Sequence, residues 1–241
     1  MGQVKYIQIA DEIRDRITRG DYSPDQAIPD EMSLAKEFGC SRMTMKKALE
    51  VLVFEGLLYR KRGHGTFILQ SPLQQDQVNV LSGETIGLTA SAKGRQVTSQ
   101  VIAFHVAFPD PEVAKHLSID QETPVYHIQR LRFIDGEPYV MERTYMPSPL
   151  ITGLNEKVLQ GSVYQYIQEN LGLTISSSHK MIRADKPHEL DRKYLDCAPD
   201  DPILEVEQVV YLSNGTPFEY SFSRHRYDKF VFTVINIQRP Q

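Results

Sequence analysis

Two clusters of basic side chains near the start of the chain have the types and spacing needed to bind a nucleic acid. The first cluster lies within six residues and consists of Arg42, Thr44, Lys46 and Lys47. The second is the run Arg60-Lys61-Arg62, followed directly by Gly63-His64-Gly65. Guanidinium, ammonium and hydroxyl groups donate hydrogen bonds to phosphate oxygens and base edges. Because glycines let a basic tip approach a backbone without a side-chain clash, we expect DNA to contact Lys61, Gly63, His64 and Gly65.

The local charge agrees with this chemistry. Residues 36–69 contain seven Lys or Arg and three Asp or Glu, a net charge of +4, whereas the whole chain carries −4. Phosphate neutralisation supplies most of the non-specific affinity for DNA, so a basic segment in an acidic protein is the expected footprint of a DNA contact. The alternative is a solvated charged helix followed by an ordinary β-turn.

The elements predicted around these residues favour the DNA contact. Asp30 can cap a helix, and Glu31 suits the positive end of that helix. Gly39 can take the left-handed conformation that ends a helix, and Ser41 is a good N-cap for the next one. Behind Ser41, an apolar stripe at helical spacing consists of Met45, Ala48, Leu49 and Leu52.

The second of these helices presents its basic N-terminal end away from the apolar stripe. That end reaches base edges and phosphates when a helix-turn-helix docks on DNA. Residues 57–59 and 66–68 read as strands on either side of the basic turn. The pattern therefore predicts a winged helix-turn-helix, mainly α-helical with a β-wing, over residues 1–69.

A pair of arginines in the second half of the chain could bind an anion. Arg130 and Arg132 lie two apart in a strand pattern, so both point to one face. An inward pair needs an anion or carboxylates, and Glu142, opposite in the predicted hairpin, could supply one. Ser162 and Tyr164 offer hydroxyl groups at the start of a predicted helix. These groups could hold a phosphate beside a hydroxyl-rich body; the alternative places the arginines on the exposed face of the sheet.

The segment after the winged helix reads as a separate domain. Residues 70–77 are polar and aperiodic, which predicts a linker to a domain over 78–241. Alternation of apolar and polar residues predicts strands at 99–108, 124–134, 138–146, 203–213, 217–226 and 231–237. Short helices are predicted at 111–117, 162–171 and 188–196. The pattern indicates an α+β domain with a mostly antiparallel sheet.

This second domain contains an internal repeat. Residues 117–138 align with 195–217 at an offset of 78, with one residue inserted at the turn. Each copy reads as strand, short helix, long strand, glycine turn and strand, which suggests two halves packed about a pseudo-twofold axis. Arg130 and Arg132 correspond to Gln208 and Val210 in the second copy, so the arginine pair is specific to the first half.

Composition excludes several classes of protein. No apolar run approaches the ~20 residues needed to span a bilayer, and the start is an amphipathic helix pattern rather than a signal peptide. Cys40 and Cys197 predict free thiols in a reducing cytoplasm. The seven histidines are scattered, without metal-ligand spacing, and no nucleophile–base constellation is visible. We expect no metal, no cofactor, no membrane partner and no catalytic residues.

The first domain resembles the N-terminal domain of the GntR family of bacterial repressors. The match runs through a Pro-x-Glu start, a Leu-Ala-x-x-Phe helix, a Ser-Arg-x-Thr helix start and a Gly-x-Gly-Thr-Phe wing. Lys46 stands where the family usually has Arg, and Cys40 where it usually has a Val-like residue. The resemblance implies DNA contacts by Glu31, Ser41, Arg42, Thr44, Lys46, Lys61, Gly63, His64 and Gly65.

From about residue 77 onward the chain resembles the effector-binding UTRA domain of the HutC subgroup, which shares its fold with chorismate lyase. The resemblance rests on Arg-Leu-Arg at 130–132, Met-Glu-Arg-Thr-Tyr-Met-Pro at 141–147, Gly-Ser-Val-Tyr at 161–164 and the closing segment 218–232. It implies effector contacts by Thr89, Arg130, Arg132, Glu142, Ser162, Tyr164, Glu219 and Tyr227.

The two resemblances together imply a ligand-responsive repressor. It is expected to bind a palindromic operator as a homodimer and to be released by a small metabolite, most simply a sugar phosphate. One rival is an enzyme with a chorismate-lyase-like domain, which would leave the DNA-binding domain unexplained. Another is a purely architectural DNA-binding protein, against which the arginine pair and the large second domain argue.

Overall fold

The computed structural model describes residues 4–69, 79–81, 87–92 and 94–233. The described residues form two compact units, one within 4–69 and the other within 79–232. The predicted linker, residues 70–77, lies outside the described residues.

The first unit contains three helices and a two-stranded sheet. In chain order these are α1 (Lys5–Arg19), α2 (Glu31–Glu37), α3 (Arg42–Phe54), β1 (Leu58–Lys61) and β2 (Gly65–Ile68). The helices bury a common core against β1, and its members include Ile9, Ile13, Leu34, Met45, Leu49, Leu52 and Leu58. The predicted winged helix-turn-helix is thus confirmed.

The boundaries of α2 and α3 follow from the residues that flank them. Asp30 accepts hydrogen bonds from the amides of Met32 at 2.8 Å and Ser33 at 3.1 Å, which caps α2. Gly39 has φ +55°, a conformation that glycine adopts at little cost, and it follows the end of α2. Ser41 accepts from the amide of Thr44 at 3.1 Å and caps α3. The predicted caps and the turn are therefore confirmed.

The wing is a short antiparallel hairpin. Strand β1 pairs with β2, with Lys61 opposite Gly65 and Tyr59 opposite Phe67. The rings of Tyr59 and Phe67 stack with centroids 5.5 Å apart, which stiffens the hairpin. The turn between the strands contains Gly63 at φ +74°, and the wing therefore needs a glycine at this position.

The second unit is built on a six-stranded antiparallel sheet. Its strands are β4 (Val97–Ala107), β5 (Val125–Ile134), β6 (Glu137–Pro147), β7 (Ile175–Asp185), β8 (Ile203–Leu212) and β9 (Pro217–Arg226). The shorter strands β3 (Asn79–Leu81) and β10 (Val231–Thr233) pair with each other. The helices are α4 (Leu88–Ser91), α5 (Pro111–Leu117), α6 (Glu156–Gln160), α7 (Val163–Glu169) and α8 (Glu189–Tyr194).

The order of the strands reflects the internal repeat. The sheet runs β4-β5-β6-β9-β8-β7, so its two halves are arranged symmetrically about the β6–β9 pair. The first half is β4, α5, β5 and β6, and the second half is β7, α8, β8 and β9. The turn between β8 and β9 is longer than that between β5 and β6, where Ile134 is already paired with Glu137. The predicted repeat, including the extra residue at the second turn, agrees with this topology.

Helices cover both faces of this sheet. On one face, α6 and α7 pack on Ile128, Met146, Val210 and Phe218. On the other face, α5 packs on Val125, Val209 and Tyr220, while Leu195 packs on Leu131 and Met141. Side chains alternate between the two faces along each strand, except where the register of β8 and β9 shifts beside Phe218.

The predicted strands differ from the observed ones at three places, one of which is β3, a strand that the predictions did not include. The predictions did not include β7, although the repeat requires a strand before α8. Strand β7 is an edge strand with mostly exposed or half-buried polar residues, so its apolar alternation is weak. The strand predicted at 231–237 is present at 231–233, and residues 234–237 lie outside the described part of the chain.

Candidate functional site

The first candidate surface is the N-terminal end of α3 with the wing. The side chains of Arg42, Lys46 and Lys47 are exposed there, whereas Met45 and Leu49 of the same helix are buried. Capping by Ser41 begins the helix at Arg42, and the apolar stripe turns the basic side chains outward. The predicted separation of a basic face from an apolar face is therefore present.

Glu31 connects this helix to the wing. Its carboxylate lies 3.4 Å from Arg42 Nε and 3.5 Å from Arg60 Nη2, so it accepts from α3 and from β1 at once. Arg60 also lies 3.8 Å from Glu50. These contacts bring Arg42 and Arg60 to one surface and neutralise part of their charge. No contact was predicted for Arg60 from the sequence, although it belongs to the basic run of the wing.

The remaining predicted DNA contacts lie on the same unit. The hydroxyl groups of Ser41 and Thr44 are 2.8 Å apart, and Lys46 Nζ lies 3.9 Å from Glu50. The tip of the wing exposes Lys61, Gly63, His64 and Gly65. His64 Nδ1 lies 2.9 Å from the carbonyl oxygen of Arg62, which holds the ring close to the turn. All nine predicted positions thus belong to one winged helix-turn-helix, and their contacts with DNA stay predictions.

The second candidate site is a cavity in the other unit, between the sheet and helices α4 and α7. Its volume is about 130 Å³. An apolar cavity of about 150 Å³ holds benzene in another protein, so this cavity has the size of one six-membered ring. Its polar lining comes from Thr89, Ser91, Arg130, Arg132, Glu142, Thr144, Ser162, Tyr164, Lys180, Gln208, Glu219, Ser221, Ser223 and His225.

The two arginines of the first repeat copy point into this cavity. Arg130 is 7% exposed and Arg132 is 4% exposed, so the alternative that they lie on an exposed face is wrong. Arg130 Nη2 lies 2.6 Å from Glu142 Oε2, and Arg132 Nη1 lies 3.6 Å from Glu142 Oε1. Arg130 also donates to the carbonyl of Leu159 at 3.0 Å, and Arg132 donates to Thr89 Oγ1 at 3.0 Å.

Their shared carboxylate does not balance the charge of the pair. Burial by itself would raise the pKa of Glu142, but the guanidinium groups of Arg130 and Arg132 lower it overall, so this carboxyl is ionised. Burial lowers the pKa of Arg132, although the negative charge of Glu142 acts in the opposite direction. The Nε atoms of both arginines are buried and have no hydrogen-bond partner among the described residues. One carboxylate faces two guanidinium groups, which leaves this end of the cavity suited to an anion.

The second repeat copy forms another part of the cavity, where Lys180 of β7 lies opposite Gln208 of β8. Gln208 Nε2 donates to Glu219 Oε1 at 3.1 Å and to Ser221 Oγ at 3.2 Å. Gln208 pairs directly with Ser221 across β8 and β9, as Arg130 pairs with Glu142 across β5 and β6. The second repeat copy thus has a neutral pair where the first has a charged pair. Neither Gln208 nor Ser221 was predicted to belong to the site.

Glu219 has an environment unlike that of Glu142. Burial raises the pKa of Glu219, and the charge of Glu142 raises it further, while the hydrogen bond from Ser221 at 2.6 Å opposes the shift. Burial also raises the pKa of Tyr164 well above its usual value, and Glu219 adds to that shift. The hydroxyl group of Tyr164 therefore remains protonated and neutral in the cavity. At a given pH, Glu219 is protonated to a greater extent than an exposed glutamate.

The end of β9 brings His225, rather than Tyr227, to the cavity. Tyr227 is 55% exposed in the turn after β9 and does not line the cavity, because the strand ends at Arg226. His225 shares a face with Glu219 and Ser221, as the period of two along a strand requires. Burial lowers its pKa to about 3, so the ring is neutral, and its Nδ1 has no hydrogen-bond partner in the described part of the chain. Counting every second residue of the strand from Glu219 onward would have identified His225 from the sequence.

The other predicted effector residues are brought together. Thr89, Ser162 and Tyr164 all line the cavity with the two arginines. Ser162 is the N-cap of α7 and accepts from the amide of Gln165 at 3.2 Å. Of the eight predicted effector residues, seven therefore lie around one cavity, and their contacts with a ligand stay predictions.

A separate group of potential metal ligands lies on the α5 side of the sheet. One ligand atom each from Glu112, His116 and Glu207 lies within 4.8 Å of the others. Glu207 already accepts from the hydroxyl of Tyr220 at 2.7 Å and pairs with Arg183. The expectation that the chain binds no metal stays a prediction.

Among the described helices, none has the length and apolar character needed to cross a membrane.

Comparisons with known protein families match both units. Residues 5–68 match the family described as bacterial regulatory proteins, gntR family, and residues 92–231 match the UTRA domain. The second match alone covers more than half of the chain. Both descriptions agree with the resemblances derived from the sequence motifs.

Individual relatives match over nearly the whole chain. The chain is 59% identical to the HTH-type transcriptional regulator GmuR of Bacillus subtilis, covering 98% of this chain and 99% of that protein. It is 33% identical to the mannosyl-D-glycerate transport/metabolism system repressor MngR of Escherichia coli, covering 95% of each. The solved structure of the possible transcriptional regulator YydK from Bacillus subtilis has a TM-score of 0.81 at 30% identity, covering 98% of this chain and 100% of that one. These relatives are transcriptional regulators, not enzymes, as the sequence predicted.

Proposed function

Because this chain belongs to the GntR family of bacterial transcriptional regulators, in the HutC type that carries a UTRA domain, we propose that it is a repressor released from its operator by an anionic sugar metabolite. The observation that carries the proposal is the buried cavity in which Arg130 and Arg132 share the single carboxylate of Glu142. Two guanidinium groups face one carboxylate here, and their Nε atoms have no partner among the described residues, which supports binding of an anion from solution.

The DNA-binding part of the proposal uses the basic surface of the first unit. Arg42 has the length and donor geometry to read a guanine edge, and Lys46 can hold a base or a phosphate. The contacts to phosphates are assigned to Ser41, Thr44, Lys61, Gly63, His64 and Gly65. Glu31, a carboxylate, is assigned to hold Arg42 and Arg60 and to accept from a base edge. We assign the protein to the cytoplasm, where its DNA partner lies.

The operator is proposed to be palindromic and the protein to bind it as a homodimer. Two-fold protein symmetry matches two half-sites whose centres are ~34 Å apart, one turn of B-DNA. The proposal would place one recognition helix in each half-site. An effector that changes the separation or orientation of the two helices would then weaken operator binding.

The effector is proposed to be a sugar phosphate. Its phosphate would lie at Arg130 and Arg132, beside Thr89 and Ser162, where donors are in excess. Its hydroxyl groups would meet Glu142, Tyr164 and Glu219. The size of the cavity supports one sugar ring, and the name of the relative MngR, a repressor of a mannosyl-D-glycerate system, supports a sugar-derived ligand.

A thermal-shift screen of sugar phosphates tests this assignment. A ligand at ~100 times its dissociation constant stabilises the folded state by about 2.7 kcal/mol, which raises the unfolding temperature. The uncharged parent sugars are the matched controls, because they lack only the phosphate. Equal stabilisation by a sugar and its phosphate would argue against an anion site at the arginines.

We predict that Arg42 and Lys61 contribute to DNA binding in different ways. Replacing Arg42 by alanine should cost about 1–3 kcal/mol on the operator and much less on random DNA, because a base contact is lost. Replacing Lys61 by alanine should weaken both complexes alike and reduce the salt slope by about one unit, because a phosphate contact is lost. Titrations on both duplexes at several salt concentrations measure the two effects. Equal losses for Arg42 on both duplexes would make it a phosphate contact.

A further inference from the structure

One large apolar side chain occupies the centre of the basic face of α3. Met43 is 63% exposed and lies in the first turn of the helix, directly after Arg42. On a helix with 100° per residue, it points about 160° away from the buried Met45. It also lies outside the core that the described residues of the first unit form. Packing within the unit therefore does not explain an apolar residue at this position.

The residues of α3 that lie next to Met43 in the chain or one turn further along the helix are Arg42, Thr44, Lys46 and Lys47, all polar or charged. Arg42 pairs with Glu31, Lys46 pairs with Glu50, and Lys47 lies 5.9 Å from the ring centroid of Tyr6. Each of these cations can exchange its intramolecular partner for a phosphate or a base. The methionine can make only apolar contacts and weak contacts through sulfur. It therefore needs an apolar partner on whatever surface this face binds.

The major groove of DNA offers one apolar group on its base edges, the C5-methyl group of thymine. We propose that Met43 is a specificity-determining residue that contacts a thymine methyl group next to the base pair read by Arg42. The inference rests on the proposed function, in which the N-terminal end of α3 enters the major groove. The unbranched methionine side chain is flexible enough to pack on a methyl group as the helix enters the groove.

Replacing thymine by uracil tests this contact, because it removes the methyl group and leaves base pairing unchanged. The probe is a duplex enriched by the full-length wild-type protein from a random-sequence library. Each thymine of that duplex is replaced by uracil in turn. We expect the wild-type protein to bind about fourfold more weakly at one thymine in each half-site, which corresponds to burial of one methyl group at ~0.8 kcal/mol.

The variants separate a direct contact from a general effect. Met43→Ala should bind the thymine and uracil duplexes equally, whereas Met43→Leu should keep the preference for thymine. Phe54→Ala is the matched control, because Phe54 is also 63% exposed but lies at the other end of α3. It should keep the full fourfold preference. Alanine is a strong helix former, so neither alanine variant is expected to unfold α3.

Two results would overturn the inference. In the first, the wild-type protein binds every uracil duplex as tightly as the thymine duplex. In the second, Met43→Ala retains the fourfold preference, so another residue contacts the methyl group. A library from which no sequence is enriched would instead overturn the proposed repressor function, and this inference with it. If binding to the selected duplex depends on Arg42 but not on Met43, only this inference fails and the proposed repressor function is unaffected.

Discussion

Replacing Arg130 and Arg132 by methionine in a protein that also carries Glu142→Gln should abolish induction and leave operator binding intact. Hydrogen bonds to a charged group contribute about 1.5–3 kcal/mol each, so losing both arginines should weaken effector binding more than a hundredfold. The glutamine is included because a buried carboxylate without its partner costs about 3–5 kcal/mol and could unfold the domain. Operator binding should persist because the winged helix belongs to a separate unit.

The reference for this experiment is the wild-type protein, because a Glu142→Gln single variant would leave two buried guanidinium groups without their carboxylate. A second control is Arg95→Met, because Arg95 is a partly exposed arginine of the same unit that pairs with Asp135 outside the cavity. It should respond to the effector as the wild-type protein does. Gel shifts with increasing effector measure release, and calorimetry measures affinity. Normal induction of the triple variant would show that the effector's anion binds elsewhere.

Replacing Arg224 by methionine should have the largest effect on stability. Its guanidinium group contacts Asp191 at 3.0 Å and Asp185 at 2.8 Å, pairs with Glu205, and donates to the carbonyl of Lys186 at 2.9 Å. Asp191 is 1% exposed, so removing the cation would leave it as a buried charge. We expect a loss of about 3–5 kcal/mol in the free energy of unfolding of the second unit.

Arg226→Met is the matched control for Arg224. Arg226 lies two residues further along the chain, pairs with the exposed Asp228, and donates to the carbonyl oxygens of Leu195 at 3.3 Å and Asp196 at 3.2 Å. Its loss leaves no buried carboxylate unpaired, so it should cost less than the loss of Arg224. Denaturant titration followed by circular dichroism measures both variants. Because the first unit has its own core, its transition should be unchanged in both. Similar small losses for the two variants would mean that water or a neighbour compensates the carboxylates around Arg224.

The parts of the fold that the sequence predicted best depend on local chemistry. Asp30 and Ser41 cap α2 and α3 because a short polar side chain can reach its own helix amides, and no distant contact is needed. The repeat was visible because a duplication preserves the spacing of turns and apolar positions. The edge strand β7 was missed because its residues are mostly polar, and only the sheet it joins makes it a strand.

The candidate site was predicted less completely, because burial depends on contacts that a sequence does not contain. A period of two places Arg130 and Arg132 on one face, but only the helices over the sheet show that this face is closed. Tyr227 was predicted from a family motif, whereas the end of β9 at Arg226 brings His225 to the cavity. The sequence identified Gln208 only as the counterpart of Arg130 in the repeat. That it donates to Glu219 follows from the pairing of β8 with β9, which the sequence does not contain.

The proposed function requires the two units to be energetically coupled. An effector can shift an equilibrium only by its preference for the state that does not bind DNA. A hundredfold loss of operator affinity needs a coupling free energy of about 2.7 kcal/mol. Linkage is reciprocal, so operator DNA must weaken effector binding by the same factor.

Calorimetric titration of the effector into the protein, with and without saturating operator DNA, tests this account most directly. The sugar phosphate used is the one that gives the largest thermal shift, and random duplex DNA replaces the operator in the control titration. We predict that the dissociation constant of the effector is about a hundredfold larger in the presence of operator than in its absence. The effector should raise the dissociation constant of the operator by about the same factor. Equal dissociation constants with and without operator would contradict the account, because a ligand that binds both states equally cannot release the protein from DNA.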